Sequence, residues 1–105
     1  MKMNLNVVAI CCLAASMVTP AFAQSGGADT YKAKCAGCHG ADGQATAIGK
    51  KLLAPSFKDP AVVKASDEQM IAIIKSGKNK MPAYTGKLSD AQIKSVVAHI
   101  RMLQK

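Results

Sequence analysis

Cys35-Ala36-Gly37-Cys38-His39 is the stretch on which the reading of this chain turns. Two thiols stand one helical turn apart, and an imidazole follows the second directly. C-x-x-C-H is the spacing of a c-type haem attachment site. Thiols at that separation can add across the two vinyl groups on one edge of a haem, and the next residue then places an imidazole beneath the iron as its proximal ligand. On this reading Cys35 and Cys38 attach one haem c covalently and His39 ligates its iron.

Two other chemistries use the same letters. A redox dithiol has C-x-x-C, but normally after a strand in a βαβ pattern, and no strand is readable upstream. A zinc site wants a second ligand pair at similar spacing. Outside the N-terminal segment the chain has no further cysteine, and its only other histidine is His99.

Working outward, 105 residues make one small domain. The first part reads as a secretory signal rather than as part of the fold. Lys2 supplies a positive start, Leu5 to Val18 is an apolar run, and Thr19-Pro20-Ala21-Phe22-Ala23 ends in an A-x-A pattern. Cleavage is expected after Ala23, so residues 1–23 are the signal and 24–105 the haem domain; retention as an uncleaved anchor is the alternative, although the run is short for a span. Cys11 and Cys12 lie inside the run and leave with it. Cleavage takes 23 residues and the charge of Lys2 from a chain of net charge +8, leaving 82 residues at +7. A domain of that size buries a modest core and needs a staple, and a covalent haem serves as one. Export fits the motif, because c-type haem is attached outside the cytoplasm; the expected location is the periplasm or an equivalent lumen.

Gln24 to Gly27 reads as a flexible leader, with a first helix from about Ala28 into the cysteine motif. Gly27, Tyr31, Cys35 and Cys38 recur at helical spacing and share one face, while Lys32 and Lys34 point away. Ala41-Asp42-Gly43 reads as a turn. From Gln44 to Ala65 the pattern is weak, as in a loop wrapped around a cofactor, with Leu52, Leu53 and Phe57 as covering residues. Asp59-Pro60 caps a short turn through Lys64. Ser66-Asp67-Glu68-Gln69 and Ser89-Asp90-Ala91-Gln92 are both capping boxes. The first opens a helix that buries Met70, Ile73 and Ile74 and stops at Gly77. The second opens a helix with Ile93, Val96, Val97, Ile100 and Leu103 on one face and a basic end at Arg101 and Lys105. No strand pattern is present, so the expected class is all-α: three main helices plus short turns around one haem.

Between the last two helices lies Lys78-Asn79-Lys80-Met81-Pro82-Ala83-Tyr84. A methionine in a polar loop belongs to no helical stripe, and a thioether is a soft ligand suited to haem iron. Pro82 stiffens the backbone beside it. Met81 is the candidate sixth ligand, with Met70, Met102 or an open position as alternatives.

These residues carry a family resemblance. Gly27 and Tyr31 stand eight and four before Cys35; Cys35 to His39 is followed about forty residues later by Met81-Pro82-Ala83-Tyr84; Leu88-Ser89-Asp90-Ala91 opens the final helix. The chain resembles the class I c-type cytochromes of the small bacterial monohaem group, and most of all the cytochrome c6 type. The resemblance implies an all-α haem fold whose first and last helices cross near Gly27. It also implies a soluble electron carrier, not an enzyme. Two departures stand out. His99 occupies the place of an aromatic on the last helix and is expected to pack rather than ligate. Gly49-Lys50-Lys51-Leu52 lacks the usual Gly-Pro whose carbonyl orients the proximal imidazole, so a carbonyl near Lys50 or Pro55 is expected to do so.

The function expected is one-electron transfer between redox proteins by a monomer with His39/Met81 ligation. Lys32, Lys34, Lys50, Lys51, Lys78 and Lys80 flank the haem-bearing segments and would steer the carrier to acidic patches; a solvated surface that only maintains solubility is the plainer reading. Nucleic acid is a poor partner for an exported chain with so few aromatics. A haem enzyme or sensor would need an open sixth position, and a thiol–disulfide oxidoreductase would need no haem.

Overall fold

The computed structural model describes residues 22–105, so residues 1–21 of the expected signal lie outside the described part. Six helices follow in order: α1 (Phe22–Lys34), α2 (Ala36–His39), α3 (Ala47–Lys51), α4 (Pro60–Lys64), α5 (Asp67–Ser76) and α6 (Asp90–Leu103). No strand occurs among the described residues, only isolated bridges at Lys78–Met81 and Thr85–Leu88. The expected all-α class holds, with α1, α5 and α6 as the main helices.

The frame is the packing of α1 against α6. Gly27 makes it possible: a Cβ there would overlap the Ser95 carbonyl. Helical glycine costs about 1 kcal/mol relative to alanine, and here the close approach of two backbones offsets it. For the same reason the helix does not start near Ala28. It already runs from Phe22, and the expected leader at Gln24–Gly27 is its first turns. Tyr31, only 2 % exposed, follows one turn later on the same face. His99 on α6 packs against the Tyr31 ring, with centroids 4.9 Å apart.

The capping boxes form in full. Gln69 N–H donates to Ser66 Oγ and Ser66 N–H to Gln69 Oε1; Ser89 and Gln92 repeat the pair. Helix α6 buries Ile93, Val96, Val97 and Ile100 at i, i+3, i+4 and i+7, each worth roughly 1.5–3 kcal/mol when fully buried. Helix α5 buries Met70 and Ile74, while Ile73 is half-buried. Lys75 at the end of α5 pairs with Asp90 at the start of α6 (3.0 Å).

Arg101 is no loose basic tail. Its guanidinium donates to Asp67 Oδ1 (2.9 Å), the Ala65 carbonyl and Gln104 Oε1 (3.0 Å), fastening the start of α5 to the end of α6. Asp59 caps α4 as expected, accepting from Ala61 N–H. The short α3, capped by Thr46, is an addition to the sequence reading.

Replacing Gly27 by Val should lower stability by about 3 kcal/mol, because the overpacked crossing must separate. Denaturant unfolding of the haem-loaded protein followed by far-UV circular dichroism measures it.

Candidate haem site

The pentapeptide is a tight corner. Helix α1 breaks at Cys35, whose N–H still donates to Tyr31 O (2.8 Å), and α2 carries the rest of the motif. His39 N–H donates to Cys35 O (2.9 Å), and Gly40 closes the turn at φ 83°. The carbonyls that the corner frees are answered by the next loop. Ala45 N–H donates to His39 O, Thr46 N–H to Cys38 O, and Thr46 Oγ1 to Gly37 O. Tyr31 reaches back beneath the motif and donates its hydroxyl to Gly40 O (2.6 Å).

The Met81 loop is fastened as firmly. Lys78 and Met81 exchange two backbone hydrogen bonds (3.2 and 2.9 Å) around Asn79 in the left-handed region at φ 55°, which asparagine tolerates better than most residues. Tyr84 N–H donates to Ile74 O and Thr85 Oγ1 to Lys75 O, binding the loop to α5. Tyr84 OH donates to Lys34 O (3.1 Å), binding it to the end of α1.

These two structures face one apolar cavity of about 960 Å³. Its wall includes Cys35, Cys38, His39 and Met81 from segments about forty residues apart, and the three covering residues Leu52, Leu53 and Phe57. Phe57 is buried, whereas Leu53 stands 67 % exposed at the rim. Of the alternative methionines, Met70 also reaches the cavity from the core, but Met102 does not line it and is exposed.

Known proteins match this chain. A family described as cytochrome C oxidase, cbb3-type, subunit III matches residues 22–100. Cytochrome c6 of a Synechococcus species is 33% identical over 104 residues, which is 95% of this chain and 91% of that protein. Cytochrome c6 of a Picosynechococcus species is 36% identical over 91 residues, covering 78% of this chain and 76% of its own. Among solved structures, the KustC0563 c-type cytochrome superposes with a TM-score of 0.70 at 34% identity, covering 75% of this chain and 98% of that one.

The chain belongs to the cytochrome c family. It is a cytochrome c6-like electron carrier rather than an enzyme, and its cofactor is one covalently bound haem c. The residues present fit that group: two unpaired cysteines, a histidine and a methionine meet at one large cavity whose wall is mostly apolar.

The electrostatics agree. Burial pushes the Cys35 thiol up to about 11, the opposite of the lowered value that makes a dithiol nucleophilic at neutral pH. Burial also lowers His39, keeping the imidazole in its neutral, metal-binding form. Its Nδ1 is buried without a hydrogen-bond partner, so no carbonyl near Lys50 or Pro55 accepts from it. What does meet the ring is Phe57, stacked at a centroid distance of 4.7 Å, a contact between distant segments that no sequence motif signals. The Tyr31 phenol is raised to about 12, chiefly by burial, with Cys35 and Asp42 adding to it.

Four exposed lysines, Lys34, Lys64, Lys78 and Lys80, line the cavity mouth. Three belong to the basic set picked out in the sequence; Lys64 was not among them, and Lys32, Lys50 and Lys51 are exposed away from the lining.

Tyr31→Phe should cost about 1–2 kcal/mol, because the Gly40 carbonyl is left buried without its donor. Chemical denaturation measures it, and an unchanged midpoint would show that this bond contributes nothing.

Proposed function

We propose that this cytochrome is an exported one-electron carrier in which Cys35 and Cys38 hold the haem as thioethers while His39 and Met81 ligate its iron. The observation that carries the reading is the meeting of these four side chains at one cavity of about 960 Å³. When bound, the haem supplies a one-electron ferrous/ferric couple.

Each residue has a distinct task. As thioethers, Cys35 and Cys38 would hold the macrocycle beside α2, so that its orientation would not depend on ligand bonds alone. His39 would bind through Nε2, since its Nδ1 is buried. Met81 is held by Lys78 on one side and by the Tyr84 anchors on the other, so its thioether is supplied by a stiffened loop. As an iron ligand, Met81 would raise the reduction potential. With His39 and Met81 both bound to the iron, no small oxidant would have a place to bind. That pairing suits transfer and opposes catalysis.

The lysines at the cavity mouth would draw acidic docking patches of redox partners toward the haem edge. Residues 1–23 serve as a cleaved export signal to the periplasm. Cleavage after Ala23 would trim two residues from α1 and leave the Gly27 crossing intact. Among the described residues no helix is long and apolar enough to cross a membrane, and the carrier works as a monomer between its partners.

Absorption spectra of the oxidised and reduced protein, beside Met81→Ala and Met70→Leu, test the ligand set. A weak long-wavelength sulfur–iron band should be present in the parent, survive Met70→Leu and vanish in Met81→Ala. Carbon monoxide should bind the reduced Met81→Ala protein and not the parent. A parent that binds carbon monoxide readily would point instead to a sensor or enzyme with a labile sixth position.

Electron transfer to an acidic partner should slow steeply between low and physiological ionic strength, and replacing Lys78 and Lys80 by Gln should flatten that dependence. Stopped-flow rates across a salt series decide it; a flat profile in the parent would remove the steering role.

A further inference from the structure

We propose that Phe57 is the positioning residue that sets the orientation of the proximal imidazole, and that the end of α6 holds Phe57 in place for this. The inference rests on the assignment of His39 as proximal ligand. The two rings stack with centroids 4.7 Å apart and planes 25° apart. Phe57 is 6 % exposed and packs on Tyr31, so it has little freedom to move off the imidazole.

A histidine bound to a metal normally has its orientation fixed by a hydrogen bond from its second nitrogen to a carbonyl, carboxylate or water. In this chain Nδ1 is buried and bonded to nothing. The aromatic face replaces the missing tether. An imidazole bound through one nitrogen can turn about the metal–nitrogen bond, and a ring lying face to face against it resists that turn.

Phe57 is tied down on both sides of its peptide. Its N–H donates to Gly43 O (2.9 Å), and its carbonyl accepts from Gln104 Nε2 (3.0 Å). Gly43, at φ 80°, leaves room for the ring: a Cβ there would stand 2.7 Å from Phe57 Cδ2. The Gln104 amide is oriented in turn, because its Oε1 accepts from Arg101 Nη1 (3.0 Å) while Arg101 Nε donates to Asp67 (2.9 Å). A continuous set of contacts thus runs from the C-terminal turn to the face of the iron ligand.

Two observables follow. The direction of the imidazole plane sets the magnetic anisotropy of low-spin ferric haem, and with it the g values and the order of the haem-methyl resonances. An Nδ1–H without an acceptor also leaves His39 a weaker electron donor, since a bond at that nitrogen raises ligand basicity. The reduction potential is held up accordingly.

The test uses the haem-loaded protein and the variants Phe57→Leu, Phe57→Tyr and Gln104→Ala. Electron paramagnetic resonance and proton NMR of the oxidised forms read the plane; a redox titration reads the potential. Phe57→Leu should shift the g values, reorder the haem-methyl resonances and lower the midpoint, as water gains access to Nδ1. Phe57→Tyr keeps the stacked face and should restore the parental values. Gln104→Ala should move the same signals in the direction of Phe57→Leu by a smaller amount. A Phe57→Leu protein with parental g values, methyl order and potential and only a lower Tm would overturn the proposal. Should that variant yield no holoprotein, parental signals in Gln104→Ala would overturn it; beside a shifted Phe57→Leu they would overturn the role of the α6 tether. A parent lacking a low-spin, histidine-ligated spectrum would sink the ligand assignment itself, and that spectrum is recorded before any variant is made.

Discussion

The described 84 residues enclose a hollow of about 960 Å³, and everything else in the structure answers to the need to fill it. A hollow of that size lined mostly by apolar side chains leaves much of the interior surface reachable by water, in a domain whose whole stability is about 5–15 kcal/mol. A bound haem covers that surface and so completes the core. Its covalent attachment makes structural sense, because a group that holds the fold together must not leave.

The protein side of that bargain is a rigid frame with two arms. The α1–α6 crossing at Gly27 is the frame, and it rests on backbone contact rather than on side-chain bulk. One arm is the cysteine corner, whose carbonyls are bonded by Ala45 and Thr46. The other is the Met81 loop, which is bound to α5 through Tyr84 and Thr85 and to α1 through the Tyr84 hydroxyl. Because Tyr84 OH ends on Lys34 O, next to Cys35, the two arms are coupled directly. A site joined in this way changes shape little when its charge changes, which is what fast electron exchange requires.

Local chemistry was legible in the sequence to the extent that its cause was local. Ser66/Gln69 and Ser89/Gln92 satisfy helix ends with residues three apart, and Asp59-Pro60 does so within two, so each was readable and each forms. The apolar face of α6 was readable because its period is that of the helix. Long-range contacts were not. Gly26 and Gly27 look like a leader until Ser95 is seen to press against one of them. Thr46 caps α3, but a five-residue helix containing Gly49 has no periodicity to announce it. Arg101 reads as the basic end of a helix, whereas two of its partners, Asp67 and Ala65, lie about 35 residues away in sequence. The candidate site divides the same way: Cys35, Cys38 and His39 announce themselves by spacing, Met81 by being out of place, and the Phe57 stack only in three dimensions.

That division has a functional side. Lys34, Lys64, Lys78, Lys80 and Leu53 line the mouth of the cavity with exposed side chains. Phe57, which stacks on His39, lies behind it and is linked through Gln104 to Arg101. Changes at the mouth can alter charge and association without touching the contacts that orient His39. Changes at the end of α6 can alter the packing of Phe57 on His39 while leaving the charges at the mouth as they are. On the proposed assignments, potential and partner choice would be physically separable in this fold, because the two sets of residues lie on different sides of the hollow.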